Sequence, residues 1–416
     1  MEVLHVSYSN HGGGAARAAF RILQAQRRVG LEATMLVNES QNPGGIIRLP
    51  KKNRVRSTRR LLSKIADAAI ARLQSNSNTN LHSPAFFSAM KIKEINSTSA
   101  DIVNLHWTGG GMLSVFAISR IKKPVVWTLH DMWAFSGSEH YDDGNQRWIN
   151  GYKSNSFLKE HKGLDVDRLV WKFKKLLWKK PFSIVTPSNW LEESVKTSEL
   201  MGGWPVETIP NPIDLEAWRA EDKQTSRNLL GLPKDGNVIL FGAIGGAKDS
   251  RKGFDLLMDA LNKLHGSDPL FSLVVFGQET STLISGLKSK IIFLGSIQDD
   301  LTLRLAYSAA DVFVIPSRQD NLPNTGIEAT ACGTPVVAFD IGGMSDIVQH
   351  RNTGYLARAF DAEDLAMGIE WALGQKKFGL ISGRCRARAE DFFNYDLIGQ
   401  KYQKLYERLI ETASNN

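Results

Sequence analysis

Asp320 and Glu328 stand eight residues apart. They bracket a turn marked by Pro323 and Gly326, and the stretch follows an apolar run, "DVFVI" (311–315). A carboxylate can accept hydrogen bonds from two hydroxyls at once, which suits a vicinal diol. The turn residues Asn321 and Leu322 would present backbone N–H groups to a hydroxyl or a phosphate. The two acids can therefore grip two sugars of one ligand. In the rival reading they flank a glycosidic bond as acid and base, and having both on one loop and helix fits that less well.

Three further clusters could do chemistry. Arg251 and Lys252 precede Gly253 in "KDSRKGFDLLMDAL". Cationic side chains before a helix N-terminus make a diphosphate site. Lys248 is a further candidate, and a solvated basic turn is the plain alternative. Gly12, Gly13 and Gly14 in "SNHGGGAARAAFRIL" allow a tight turn and close approach to a ligand. The pattern nearly matches a dinucleotide fingerprint, but Arg17 holds its third glycine position. Glu39 would be the matching acid, and a simple strand-to-helix bend is the alternative. His130 and Asp131 follow the run "VVWTL". His130 could exchange protons near neutral pH, donate to a sugar hydroxyl, or merely tie down a buried loop. Asp142-Asp143 reads as a solvated acidic pair, and no metal site is expected.

Elements must place these residues. Strands are expected at 2–8, 33–38, 101–106, 124–129 and 183–187, then near 237–243, 271–276, 290–294, 311–315 and 335–339. Helices are expected at 13–29, 55–74 and 190–200, then near 253–265, 299–309, 326–332 and 361–374. Alternation of this kind implies parallel sheets with helices on both faces. It occurs twice, so two doubly wound α/β domains are expected, with "IPNPIDLEAWR" (209–219) at their junction. Each candidate residue follows a strand, and ligands of open α/β sheets bind beyond the carboxyl ends of strands.

Composition bounds the rest. The 416 residues exceed one ordinary core. Hydrophobic residues make up 42% and charged ones 23%, as in soluble globular chains. No signal peptide or spanning segment is expected, and the two cysteines, Cys332 and Cys385, suit a reducing cytosol. The net charge of +8 suits an anionic partner; a diphosphate ligand and acidic lipid are favoured over nucleic acid, which rests on charge alone. Two basic amphipathic stretches, from Lys51 and at 168–180, combine lysine or arginine with apolar residues. In the second, Lys172, Lys174, Lys175 and Lys179 with Trp171 and Trp178 would meet a membrane surface, unless the apolar stripe packs inward.

The pieces "HGGGAARAAFRI", "TLHDMWAFSG", "VTPSNWL", "IPNPID", "RKGFDLLMDAL" and above all "DNLPNTGIEATACGTPVVAFDIGG" resemble family 4 glycosyltransferases of the GT-B fold. They are most similar to the branch that builds bacterial surface polysaccharides, including exopolysaccharide and lipopolysaccharide. The resemblance implies an acceptor-side domain over 1–210 and a nucleotide-sugar-binding domain over 211–394, facing across a cleft. A final helix over 395–416 would cross back to the first domain. It implies transfer of a hexose from a UDP- or GDP-hexose, with retention, to a saccharide or polyprenyl-diphosphate-linked acceptor at the inner membrane face.

By the same resemblance, His130, Lys252 and Asp320 are catalytic. Gly13, Gly14, Arg17, Arg251, Asn321, Leu322 and Glu328 bind substrate, with Glu328 on the ribose. No metal or other cofactor is implied. Three departures stand out: Asp320 replaces the family's glutamate, Gly246 stands where many relatives carry arginine, and the loop after "HDMWAF" lacks the cysteines common in that branch. A nucleotide-sugar epimerase or phosphorylase on the same fold, a non-catalytic assembly partner, and a dinucleotide-binding dehydrogenase are the competing readings.

Overall fold

A computed structural model of the chain describes residues 1–40, 44–49, 54–75, 81–142, 144–153, 156, 162–242, 249–264, 271–277, 289–375 and 379–414. Two compact units emerge: Met1–Pro210 together with Ile398–Asn416, and Asn211–Leu397.

The first unit is built on strands β1 (Glu2–Ser9), β2 (Glu32–Glu39), β3 (Ile47–Arg48), β5 (Ile102–Leu105), β6 (Val125–Thr128), β8 (Ser183–Thr186) and β9 (Val206–Thr208). They pair in parallel in the order β3-β2-β1-β5-β6-β8-β9. A separate two-stranded ribbon joins β4 (Gln74–Ser75) to β7 (Lys162–Gly163). The strands alternate between two apolar layers. Leu4, Val6, Val103, Leu105 and Trp127 enter one cluster. Val3, Met35, Val37, Ile102 and Val126 enter the other, with Ile398, Tyr402 and Tyr406 of the C-terminal helix Tyr395–Ser414. Alternation on strands covered on both faces gives near-continuous apolar runs, as the sequence shows.

The second unit uses β10 (Asn237–Gly242), β11 (Phe271–Phe276), β12 (Lys290–Gly295), β13 (Val312–Ile315), β14 (Val336–Phe339) and β15 (Gly354–Ala357). Their order is β12-β11-β10-β13-β14-β15, again all parallel. The order reverses between β10 and β13 here, and between β1 and β5 in the first unit. At such switch points the loops on either side diverge and leave a crevice.

Every strand expected from the alternation is present. The edge strands β3, β9 and β15 and the ribbon strands β4 and β7 are additional; β3, β4 and β7 are two residues each. In β9 and β15, "VET" is half-buried and "GYLA" begins with glycine, so neither carries a long apolar run. The helix Leu380–Phe392 is additional too; its basic sequence has a weak apolar stripe, with Ile381, Cys385 and Ala389 buried. The helix Asn324–Ala331 starts two residues before the expected 326, capped by Pro323.

Candidate active site

In the second unit the switch point collects the expected donor residues. The short turn Ser250–Lys252 lies just before the helix Phe254–Asn262. Between them Gly253 has φ of 64°, and a Cβ there would stand 1.9 Å from Pro316 O. Only glycine allows this turn to lie against the chain leaving β13. Backbone and side-chain bonds reinforce it. Arg318 N donates to Arg251 O at 2.7 Å, and Arg318 makes a two-pronged pair with Asp255 at 2.7 and 2.5 Å. Lys252 Nζ thereby reaches Asp320 Oδ2 at 2.6 Å. Arg251 pairs instead with Asp249, its guanidinium 2.8 Å from Oδ2. Lys248 and Gly246 lie outside the described residues.

The loop carrying Asp320 is closely held. Gly342 has φ of 54°, and a Cβ there would lie 2.0 Å from Asp320 O. Asn211 Nδ2 approaches Leu322 O and Asn324 Oδ1, each at 3.3 Å. Asn321 and Leu322 are buried, so their contribution to a ligand would come from the main chain more than from the side chains. Glu328 is 2% exposed, and its Oε2 accepts a hydrogen bond from Tyr307 at 3.0 Å. Tyr307 was not singled out in the sequence. Its place in the apolar run "LRLAYSAAD" gave it the look of plain core.

In the first unit, Gly12 and Gly13 turn the chain at φ of 66° and 87° into the helix Gly14–Arg28. Nothing lies within 4 Å of a Cβ at either, so that space is open. Arg17 N closes the first turn on Gly13 O. Glu39 is not a ribose acid. Tyr8 donates to it at 2.5 Å, and Arg60 and Lys64 pair with the same oxygen. That removes the acid from the dinucleotide reading.

His130 follows β6 and is half-buried in a pocket with His106, Trp107, Thr108, Asp131 and His140. His106 Nδ1 lies 3.1 Å from His130 Nε2, and His5 Nδ1 lies 2.8 Å from His106 Nε2. The rings stack at 5.1 and 5.3 Å. Burial lowers His130 and His5 to about 4 and His106 well below its ordinary value, so all three are neutral at pH 7. A ring whose pKa lies this far below neutrality is a weak base at pH 7. Asp131 Oδ2 pairs with His140 Nδ1 at 2.6 Å and accepts from Trp107 Nε1 at 3.0 Å. His140 in turn lies 2.8 Å from Ser83 Oγ. Reading the sequence missed His5, His106 and His140. The available signal was a histidine inside β1 and another directly after β5, both in otherwise apolar runs.

The cysteine-free loop after "HDMWAF" is held by buried charge. Lys174, fully buried, donates to the carbonyls of Trp133, Ser136 and Gly137. Three carbonyls take all three ammonium hydrogens, so the lysine is charged there even though burial lowers its pKa to about 7. Among the described residues His82, Glu139 and Asp167 bring one ligand atom each within 4.8 Å of one another. Asp167 is already engaged by His82, Ser138 and Gln74, and Tyr152 donates to Glu139. Lys174, Trp171 and Trp178 are thus core residues, contrary to the membrane-facing role expected of them. The face of helix Val166–Leu177 that is exposed carries Leu169, Lys172, Phe173, Lys175 and Leu176.

Comparison with known proteins agrees with this architecture. The model "Glycosyltransferase Family 4" matches residues 12–217, and "Glycosyl transferases group 1" matches 237–375. A D-inositol 3-phosphate glycosyltransferase of Jonesia denitrificans is 31% identical over 230 residues, 51% of this chain and 53% of that protein. The chain spans between about half and 62% of the length of such curated relatives. Sucrose-phosphate synthase of Thermosynechococcus elongatus superposes with a TM-score of 0.66 at 18% identity, covering 99% of both chains. Anabaena HepE, solved in complex with UDP-glucose, superposes with a TM-score of 0.62 at 16% identity over 100% of both. With both halves matched by these models and the fold shared with those structures, the chain belongs to the family 4, group 1 glycosyltransferases of the GT-B fold.

Proposed function

We propose that the protein transfers a hexose from a nucleotide-sugar to a saccharide acceptor, retaining the anomeric configuration. The observation that carries this reading is the meeting of Lys252 and Asp320 at the switch point of the second sheet, beside the helix that bears Glu328. A cation for a phosphate and a carboxylate for hydroxyls stand within one hydrogen bond of each other, as a sugar joined to a diphosphate requires. Support for a UDP-sugar comes from the HepE complex, which holds UDP-glucose.

In this reading the second unit holds the donor. Lys252, with Arg251 beside it, neutralises charge growing on the departing diphosphate. Asp320 and the main chain of Asn321 and Leu322 orient the transferred sugar, and Glu328 takes the ribose. Gly13, Gly14 and Arg17 border the phosphates or the acceptor. Among the described residues no carboxylate is an obvious covalent nucleophile, so in this reading the acceptor hydroxyl attacks on the face from which the phosphate leaves. The phosphate oxygen takes the acceptor proton. Cationic side chains serve the leaving group in place of a divalent metal.

The acceptor is a growing polysaccharide of the cell surface, carried on a polyprenyl diphosphate and met at the membrane surface. Among the described residues no helix is long and apolar enough to cross a membrane, so contact would be peripheral. The test is a thermal-shift screen of UDP-, GDP- and ADP-sugars, followed by NMR of the product made with the stabilising donor. Stabilisation by one class and an anomeric centre matching the donor support the proposal. Absence of any nucleotide-sugar binding, or inversion, would overturn it.

A further inference from the structure

We infer that a one-way hydrogen-bond chain, starting at Tyr402 on the C-terminal helix, places the imidazole hydrogen of His130 on Nδ1, so that His130 meets a substrate oxygen as a donor and not as a base. The part about substrate rests on the glycosyl-transfer reading; the part about the hydrogen does not.

The direction follows from satisfying two buried phenols. Tyr402 and Tyr406 are both fully buried. Among the described residues, the hydroxyl of Tyr402 has one hydrogen-bond partner, Thr128 Oγ1 at 3.0 Å. A buried hydroxyl hydrogen without an acceptor is costly, so Tyr402 donates to Thr128. Thr128 must then donate onward, to Asn104 Oδ1 at 3.0 Å. That fixes the Asn104 amide, whose Nδ2 donates to Tyr406 Oη at 2.7 Å. Turning the Asn104 amide over would make Thr128 donate back to Tyr402 and strand the Tyr402 hydrogen.

Among the described residues Tyr406 has one other partner, the side-chain amide of Gln26. With Nε2 toward the phenol at 2.8 Å and Oε1 toward His5 Nε2 at 2.9 Å, Tyr406 would accept twice and its own hydrogen would have no acceptor. Half a turn of the amide exchanges two groups of nearly equal size. Tyr406 then donates to Gln26 Oε1, and Gln26 Nε2 donates to His5 Nε2. Every later step is forced, because a neutral imidazole has one donor and one acceptor nitrogen. His5 Nδ1–H donates to His106 Nε2, and His106 Nδ1–H donates to His130 Nε2. His130 Nε2 is thus an acceptor, and the hydrogen of its neutral ring lies on Nδ1. Tyr406, Gln26, His5 and His106 are positioning residues, and the C-terminal helix supplies the start of the chain.

The test is nitrogen NMR of the whole chain labelled in histidine, at pH 7, with resonances assigned from single His→Gln variants. The expected result is hydrogen on Nδ1 for His5, His106 and His130 alike. Hydrogen on Nε2 of any of them, or an imidazolium, would overturn the chain. Tyr406→Phe removes the hydrogen given to Gln26 and should let the three rings relax toward the Nε2–H form. Should that variant fail to fold, Gln26→Glu, a side chain that only accepts when ionised, should reverse all three. Transfer assays separate the second half of the claim. In a variant with reversed histidines, kcat/KM should fall about tenfold, the size of one lost hydrogen bond. Unchanged kcat/KM would overturn the donor role of His130 while leaving the chain intact. Failure of the wild type to transfer from any donor would overturn only the transferase reading.

Discussion

Lys252 Nζ donates to Asp320 Oδ2 across 2.6 Å, although 68 residues separate them in the chain. Each neutralises the other, and neither is wholly covered, with side-chain exposures of 24% and 11%. Lys252→Ala should lower kcat about 100-fold, in the range seen for loss of one preorganised electrostatic group, with nucleoside affinity little changed. Steady-state kinetics beside calorimetry with the bare nucleoside measures both. Equal losses in the two would assign Lys252 to ground-state binding. Activity should survive EDTA, and a strict need for added Mg²⁺ would contradict a leaving group stabilised by side chains alone.

Glu328 and Tyr307 set a condition on testing the ribose contact. Alanine at 328 would strand the buried Tyr307 phenol, at a cost of about 1–3 kcal/mol in stability. Glu328→Gln retains an acceptor oxygen and removes the charge. Its melting temperature should stay within a few degrees of wild type, while nucleotide affinity by calorimetry falls about tenfold. A folded Gln variant of unchanged affinity would remove Glu328 from the ribose site.

Much of the candidate site in each unit was legible because strand ends are legible. Apolar runs such as "DVFVI" and "VVWTL" mark where loops leave a parallel sheet, and Asp320 and His130 sit just past them. What supports them was not legible. Tyr307, Gln26 and Tyr406 act from positions that satisfy the helix pattern as ordinary core, and their polar tips find partners across 21 to 380 residues of chain. Lys174 and Trp171 misled in the opposite direction. On a twelve-residue helix a basic, tryptophan-bearing face resembles a membrane face, and only tertiary contacts reveal that Lys174 caps three carbonyls inside.

The buried histidines predict a pH dependence. Their folded pKa values lie near 4 for His5 and His130, below the unfolded value near 6.5. Between those values the unfolded chain binds more protons than the folded one, so their contribution to stability is lost as pH falls from 6.5 toward 4. For one such histidine the loss at pH 5 is on the order of 2 kcal/mol. Asp67, raised to about 6 by burial, acts in the opposite sense over part of this window. The comparison is therefore between wild type and His5→Gln. Urea unfolding at pH 7 and pH 5 should show wild type losing about 2 kcal/mol more than the variant. Equal losses would mean that His5 titrates normally.

The surface of the helix Val166–Leu177 available to a membrane is its exposed face. Leu169, Phe173 and Leu176 are 44%, 44% and 63% exposed, and Phe116 of a neighbouring helix is 51% exposed. Lys172, Lys179 and Lys180 are exposed beside them. Apolar side chains flanked by lysines suit the boundary between headgroups and acyl chains, where each lysine adds on the order of 1 kcal/mol on an anionic surface. The polyprenyl-linked acceptor proposed above would require such a contact. Co-sedimentation with vesicles containing phosphatidylglycerol should therefore be strong at low salt and weaken as salt screens the lysines. Glutamine at 172, 179 and 180 should weaken it at low salt, and serine at 169, 173 and 176 should weaken it at every salt concentration. Lys174→Gln belongs in the comparison as the opposite case: it should lower the melting temperature, because three buried carbonyls lose their shared donor, and leave vesicle binding of the folded fraction unchanged. Wild type remaining in the supernatant at low salt would mean that the acceptor reaches the enzyme in solution or by way of a partner.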